Sequence, residues 1–66
     1  PAFHAGNFTG HPFQVAYAEA LLERARTSYD FHLTVANMIV SDHLPHELAM
    51  SRLDARDRDR VRAALS

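Results

Sequence analysis

Residues 12–44 read PFQVAYAEALLERARTSYDFHLTVANMIVSDHL, and this stretch decides the fold. It contains no glycine, and Pro12 is its only proline. Apolar side chains recur along it in steps of three and four, which is the spacing of one face of an α-helix. The residues of this apolar stripe are Val15, Ala18, Leu22, Ala25, Tyr29, Leu33, Ala36, Val40 and Leu44. Because Pro12 suits a first helical turn and Pro45 opposes continuation, the pattern predicts one helix over about residues 12–44, roughly 45 Å long.

The predicted helix has one weak point, the run Thr27-Ser28-Tyr29-Asp30. Short polar side chains in this run compete for backbone hydrogen bonds and are poor helix formers, so a turn is the alternative here. The apolar stripe nevertheless keeps its phase across the run, which contains neither glycine nor proline. We therefore expect the helix to continue through it.

Residues 45–66 indicate two short helices. Pro45 opens the first, with Glu47 in its first turn, where the helix dipole favours an acidic side chain. Asp54 is a typical N-cap for the second helix, and Asp57 stands at the capping-box position. The second helix also carries three oppositely charged pairs at helical spacing: Asp54 with Arg58, Asp57 with Arg60, and Asp59 with Arg62.

The N-terminal residues 1–11, PAFHAGNFTGH, show neither helical nor alternating periodicity. They contain both glycines of the chain and two aromatic residues, Phe3 and Phe8. The aromatic residues are too apolar for a purely solvated tail, so the segment is predicted to be an extended arm that lies across a hydrophobic surface. A frayed terminus is the alternative. The sequence thus divides into an arm, residues 1–11, and an all-α helical domain, residues 12–66.

Composition narrows the range of functions. The chain has 66 residues, 47% of them hydrophobic, and a formal net charge of −1. One small domain is expected at this length, and the lack of a basic excess argues against a nucleic-acid partner. No window approaches the roughly 18 apolar residues that span a bilayer, and no signal peptide is visible, so we expect a cytoplasmic protein without a membrane partner. Without cysteine there is neither a disulfide framework nor a thiolate metal site.

The apolar stripe predicts association with another protein. Two short C-terminal helices cannot cover a helix of roughly 45 Å, and large uncovered apolar surfaces mark interfaces. We therefore expect the chain to complete a helical bundle by forming an oligomer with itself or by docking onto a larger subunit. The predicted interface residues are Phe3, Phe8, Val15, Ala18, Leu22, Ala25, Tyr29, His32, Leu33, Ala36, Ile39 and Val40.

Histidines are the candidate metal ligands. The chain contains five, and His43 and His46 stand close to Glu47 in the segment DHLPHE. Imidazole and carboxylate groups bind divalent metals such as zinc, so a site formed by these three residues is one hypothesis. The other is that they are capping and solvated residues at a helix junction. No resident cofactor other than such a metal is expected.

Residues 6–12, Gly-Asn-Phe-Thr-Gly-His-Pro, together with Ala16, resemble the Gly-Asn-Phe-x-Gly-x-Pro segment that leads into a core helix in the histidine ammonia-lyase family. The resemblance covers about eleven residues. It implies a large, mostly helical tetrameric enzyme whose electrophilic cofactor forms from Ala-Ser-Gly, a tripeptide that this chain lacks. Kinship would therefore make the chain a fragment or relic of such an enzyme. Turn chemistry alone also selects Gly-Asn before a helix start.

The functional expectation is a small helical interaction module or accessory subunit that is not catalytic by itself. No Gly-rich phosphate loop and no local nucleophile signature is present in the sequence. Two alternatives stay open: a histidine-based metal-binding or catalytic role assembled at an oligomer interface, and a fragment of an ammonia-lyase-like enzyme.

Overall fold

Four α-helices make up the part of the chain that the computed structural model describes, residues 12–66. They are α1 (Pro12–Arg26), α2 (Phe31–Val40), α3 (His46–Ser51) and α4 (Ala55–Leu65). Residues 12–66 contain no strand, so the predicted all-α class is confirmed. The predicted arm, with Phe3 and Phe8, lies outside the described residues.

The prediction of one long helix is wrong, because the chain turns at the weak point between Arg26 and Phe31. The Thr27 and Ser28 hydroxyls donate to the carbonyls of Arg24 and Ala25 at 2.7 and 2.6 Å. The two backbone N–H groups bond to the same carbonyls, three residues back, which tightens the last turn of α1 and ends it. Asp30 then adopts an extended conformation, and its carboxylate accepts from the Leu33 N–H at 3.0 Å. This N-cap starts α2 as a separate helix.

Helix α2 also ends earlier than predicted, at Val40 instead of Leu44. The N–H of Asp42 bonds to the Ile39 carbonyl and the N–H of His43 to the Met38 carbonyl, at 3.1 and 2.9 Å. These two bonds define a Schellman motif, in which the residue after the C-cap is left-handed. Asp42 fills that position with φ 63°. The motif reverses the chain and delivers Leu44 into the core, where it is fully buried.

The predicted starts of the two C-terminal helices are confirmed. Pro45 precedes α3, Glu47 lies in its first turn, and Asp54 caps α4 by accepting from the Asp57 N–H at 2.8 Å. Of the three predicted charge pairs, one forms and two are replaced by other contacts. Arg62 and Asp59 do pair, at 3.4 Å, whereas the Arg58 guanidinium donates to the Leu53 carbonyl and Asp57 pairs with a histidine of α2.

The core forms where α2 meets the other three helices. The most extensive contact of α2 is with α4. Val35, Leu44 and Val61 are the largest fully enclosed side chains. Around them lie the remaining buried apolar residues, Ala18, Leu22, Ala25, Ala36, Leu48, Ala49, Met50 and Leu53. Thus α2 is the central element, yet one side of it stays in solvent. No helix formed by residues 12–66 has the length and apolar character needed to span a bilayer.

Candidate interaction site

The first feature of the candidate site is a row of exposed residues on the solvent side of α2 and in the turn before it: Tyr29, Leu33, Asn37 and Val40; we call it the α2 row. Leu33, Asn37 and Val40 share one narrow face of the helix, at spacings of four and three residues, and Tyr29 lies in the turn that precedes the N-cap Asp30. Tyr29 is fully exposed, and Leu33 and Val40 are 50% and 72% exposed. Helix α2, FHLTVANMIV, contains no Asp, Glu, Lys or Arg. The row is therefore an apolar surface with one amide group and no formal charge.

The turn between α1 and α2 explains why the row faces solvent. A Ser28–Thr34 hydroxyl contact of 2.8 Å ties the turn to the first turn of α2. The N-cap at Asp30 then fixes the rotation of α2 at its start. With this rotation Val35 and Ala36 are buried, and the opposite side of the helix presents the α2 row.

A groove between α2 and α4 adjoins the row. Its lining residues are Asp30, His32, Leu33, Arg60, Ala63 and Ala64, and its volume is about 290 Å³. Leu33 belongs to both the groove and the row, so the two form one continuous surface. Small-molecule pockets generally start near this size and are more enclosed. The groove is thus better suited to one apolar side chain from a partner, with Asp30 and Arg60 as polar groups beside it.

A hydrogen bond between His32 and Asp57 holds the two sides of the groove together. The His32 Nε2 lies 2.8 Å from the Asp57 Oδ1, and both side chains are about three-quarters buried. The imidazole also meets the Phe31 ring edge-on, with 5.3 Å between the ring centroids, and the Arg26 guanidinium lies 4.4 Å from the centre of that ring. His32, predicted as an interface residue, is therefore a link between the starts of α2 and α4.

The structure separates the other predicted interface residues into three groups. Ala18, Leu22, Ala25 and Ala36 are buried in the chain's own core, and Val15 and Ile39 pack against that core. Tyr29, Leu33 and Val40 are exposed. Phe3 and Phe8 lie outside the described residues. The exposed part of the predicted stripe is thus reduced to α2 and the turn before it, because the chain turns back after α1 and the apolar side of α1 packs on α2 and α3.

The structure does not assemble the predicted metal ligands into a site. His43 lies in the segment after α2, and His46 and Glu47 lie in the first turn of α3; all three are exposed. Within residues 12–66, no three His, Asp or Glu side chains are grouped so that they could hold a metal ion. His46 and Glu47 instead border an open cleft of about 520 Å³ between α3 and α4.

Sequence reasoning missed two parts of the candidate site. Asn37 is absent from the predicted interface residues, although its spacing of four from Leu33 and three from Val40 is itself the signal that it shares their face. The groove residues Arg60 and Ala63 gave no signal, because they join the site only through the packing of α4 on α2. Comparisons with protein family models, with curated proteins and with solved structures find no match for this chain.

Proposed function

We propose that this protein is a small interaction module that binds a protein partner through the α2 row and the adjoining groove, without catalysis of its own. The observation that carries the proposal is the exposed apolar row on a helix that has no Asp, Glu, Lys or Arg. Single exposed apolar residues are common on protein surfaces, but several at one end and along one face of an uncharged helix, next to a groove, are typical of a binding surface.

The shape of the site favours a helical partner. Apolar side chains spaced by three and four residues recognise a second helix by laying one apolar face against another. Tyr29 is suited to anchor such a contact, because it combines a large apolar ring with a hydroxyl group, and tyrosine is enriched among the residues that dominate interface energetics. The partner helix would complete a helical bundle around α2.

Site-specific photo-crosslinking tests this proposal. A photoreactive phenylalanine analogue would replace Tyr29 in the full chain, expressed in cells of its source, and adducts would be identified by mass spectrometry. We expect an adduct at position 29, and we expect Val40→Asp in the same chain to abolish it. The same analogue at Ala20, an exposed residue of α1, serves as the control. Equal adducts at positions 20 and 29, or an adduct that survives Val40→Asp, would contradict the proposal.

A further inference from the structure

We infer that the partner of the α2 row is an amphipathic helix of another protein whose apolar face is edged by Asp or Glu side chains. This inference rests on the proposed function and adds the chemistry of the partner. The observation behind it is the distribution of charge on α4, which packs on α2 and forms the other wall of the groove.

Two arginines of α4 differ from its other charged residues. Most charged side chains of α4 and its N-cap have a hydrogen-bond partner within the chain: Asp54, Asp57, Arg58, Asp59 and Arg62. Arg56 and Arg60 are exposed, and neither side chain has a hydrogen bond or an ion pair with any residue of 12–66. Their guanidinium groups are therefore available to a partner.

Both of these arginines lie on the side of α4 that borders the groove. Arg60 lines the groove together with Leu33 of the α2 row. Arg56 precedes it by one helical turn, about 6 Å along the axis, on the same side of the helix. Arg58 and Arg62 line the cleft on the opposite side of α4. Since α2 itself has no Asp, Glu, Lys or Arg, the apolar surface is bordered by two arginines without partners.

Two acidic side chains lie near the same groove, and both are engaged within the chain. Asp30 accepts from the Leu33 N–H, and Asp57 is hydrogen-bonded to His32. Asp30 is also the N-cap of α2, and Asp57 lies in the first turn of α4. The positive end of a helix dipole offsets an acidic charge at each of these positions. The charge that a partner has to match is thus positive.

A helix with acidic side chains beside its apolar face matches this surface. Carboxylates three or four residues apart on one edge of such a helix have the spacing of Arg56 and Arg60, and guanidinium groups pair with carboxylates through two parallel hydrogen bonds. One apolar side chain of the partner fits the groove beside Ala63 and Ala64, whose own side chains are small. A nucleic acid matches less well, because its phosphates would contact the arginines and leave the uncharged row in water.

Two model peptides test the charge of the partner against the full chain. Both are amphipathic helices of roughly 20 residues with leucine on one face, and the edges of that face carry Glu in one peptide and Lys in the other. Fluorescence anisotropy at low salt should give a Kd at least about tenfold lower for the Glu peptide. The net charge of −1 would by itself favour the Lys peptide, so this preference reports the local arginines. Equal affinities, tighter binding of the Lys peptide, or tighter binding of a single-stranded oligonucleotide would overturn the inference.

Charge reversal locates the contact. The double variant Arg56→Glu/Arg60→Glu should reverse the preference, so that the Lys peptide binds at least about tenfold more tightly than the Glu peptide. The matched control, Arg24→Glu/Arg62→Glu, makes the same change of net charge at exposed residues away from the groove and should keep the preference for the Glu peptide. Circular dichroism checks that both variants are folded. A reversal in both variants, or in neither, contradicts a contact at Arg56 and Arg60.

Val40→Ser separates a failure of this inference from a failure of the proposed function. It removes an apolar side chain of the row without adding charge, and it should weaken both peptides at least about fivefold. Equal affinity of the two peptides, lost in Val40→Ser, would refute the acidic partner and leave the α2 row as a binding surface. Binding of the Glu peptide that is unchanged in Val40→Ser would refute both. If neither peptide bound at about 1 mM, where weak contacts are populated, the acidic helix would be refuted, and the photo-crosslink from position 29 would decide the proposed function by itself.

Discussion

Asp42 has the one positive φ angle found among the non-glycine residues of 12–66, and it sets the end of α2. The left-handed conformation brings Cβ close to the backbone carbonyl, which disfavours most residues, although Asp and Asn tolerate it better than others. Glycine is the usual residue at this position of a Schellman motif. The end of α2 thus depends on a residue that adopts its conformation at some energetic cost.

Asp42→Gly should therefore raise the free energy of unfolding, by about 0.5 kcal/mol or more, because the Cβ contact is removed while both hydrogen bonds of the motif remain. Urea denaturation followed by circular dichroism measures the change. The matched control is Ala20→Gly on the exposed side of α1, which should lower the same quantity by roughly 1 kcal/mol. Equal destabilisation by both glycine substitutions would show that the φ angle of Asp42 carries no penalty.

His32 and Asp57 form a second feature at this scale, a partly buried hydrogen bond that joins residues distant in sequence. Such bonds to a charged group contribute about 1.5 to 3 kcal/mol. We expect a double-mutant cycle of His32→Ala and Asp57→Ala to give a coupling energy of about 1 kcal/mol or more in unfolding free energy. The exposed pair of Asp59 and Arg62 supplies the control cycle, with an expected coupling of about 0.5 kcal/mol or less. If the two cycles gave the same coupling, the His32 contact would be no stronger than a surface pair.

At the scale of the helices, the turn between α1 and α2 is where the structure differs from the predicted single helix. The turn contains four residues, 27–30, which is close to the 3.6 residues of one helical turn. The apolar stripe therefore has the same helical phase before and after the break. Periodicity alone cannot distinguish a turn of this length from continuous helix. The capping chemistry was visible, because Thr27, Ser28 and Asp30 are residues that form turns and caps, and it decides the structure.

The Asp30 cap is the contact that makes α2 a separate helix. Asp30→Ala should lower the free energy of unfolding by about 1 kcal/mol, since the Leu33 N–H loses its acceptor. Asp30→Asn should change it much less, because asparagine caps equally well. Thermal denaturation of the two variants checks this expectation. A loss of equal size in both would indicate that the negative charge matters and the cap hydrogen bond does not.

At the scale of the whole molecule, sequence patterns predicted the features that neighbouring residues determine, namely helix starts and exposed apolar positions. The helix starts at Pro12, after Pro45 and after Asp54 follow from proline and capping rules, and Tyr29, Leu33 and Val40 were proposed as interface residues from spacing alone. The groove and the His32–Asp57 contact depend on where α4 packs, and no feature of the sequence near either element encodes that. The burial of Ala18, Leu22 and Ala25 likewise depends on the chain turning back at residues 27–30.

Leu22 and Val40 both belong to the predicted apolar stripe, but in the fold Leu22 is buried and Val40 is exposed. Leu22 is 5% exposed and Val40 is 72% exposed. Leu22→Asp should remove most of the helical signal in circular dichroism. An unpaired carboxylate in the core costs several kcal/mol, which is comparable to the whole free energy of unfolding of a domain of this size. Val40→Asp should leave the helical signal within about 10% of wild type at low concentration, since surface substitutions change stability little. Loss of helicity in both variants would mean that α2 folds only in the assembled complex.

The packing of α2 on α4 has a consequence for incomplete chains. A chain that ends before Asp54 contains α2 but lacks the helix that makes the most extensive contact with it. Such a chain exposes apolar surface on more than one side of α2, and incompletely packed segments of this kind are substrates for chaperones and proteases. A chain truncated after Leu53 should therefore be digested under conditions in which the 66-residue chain resists.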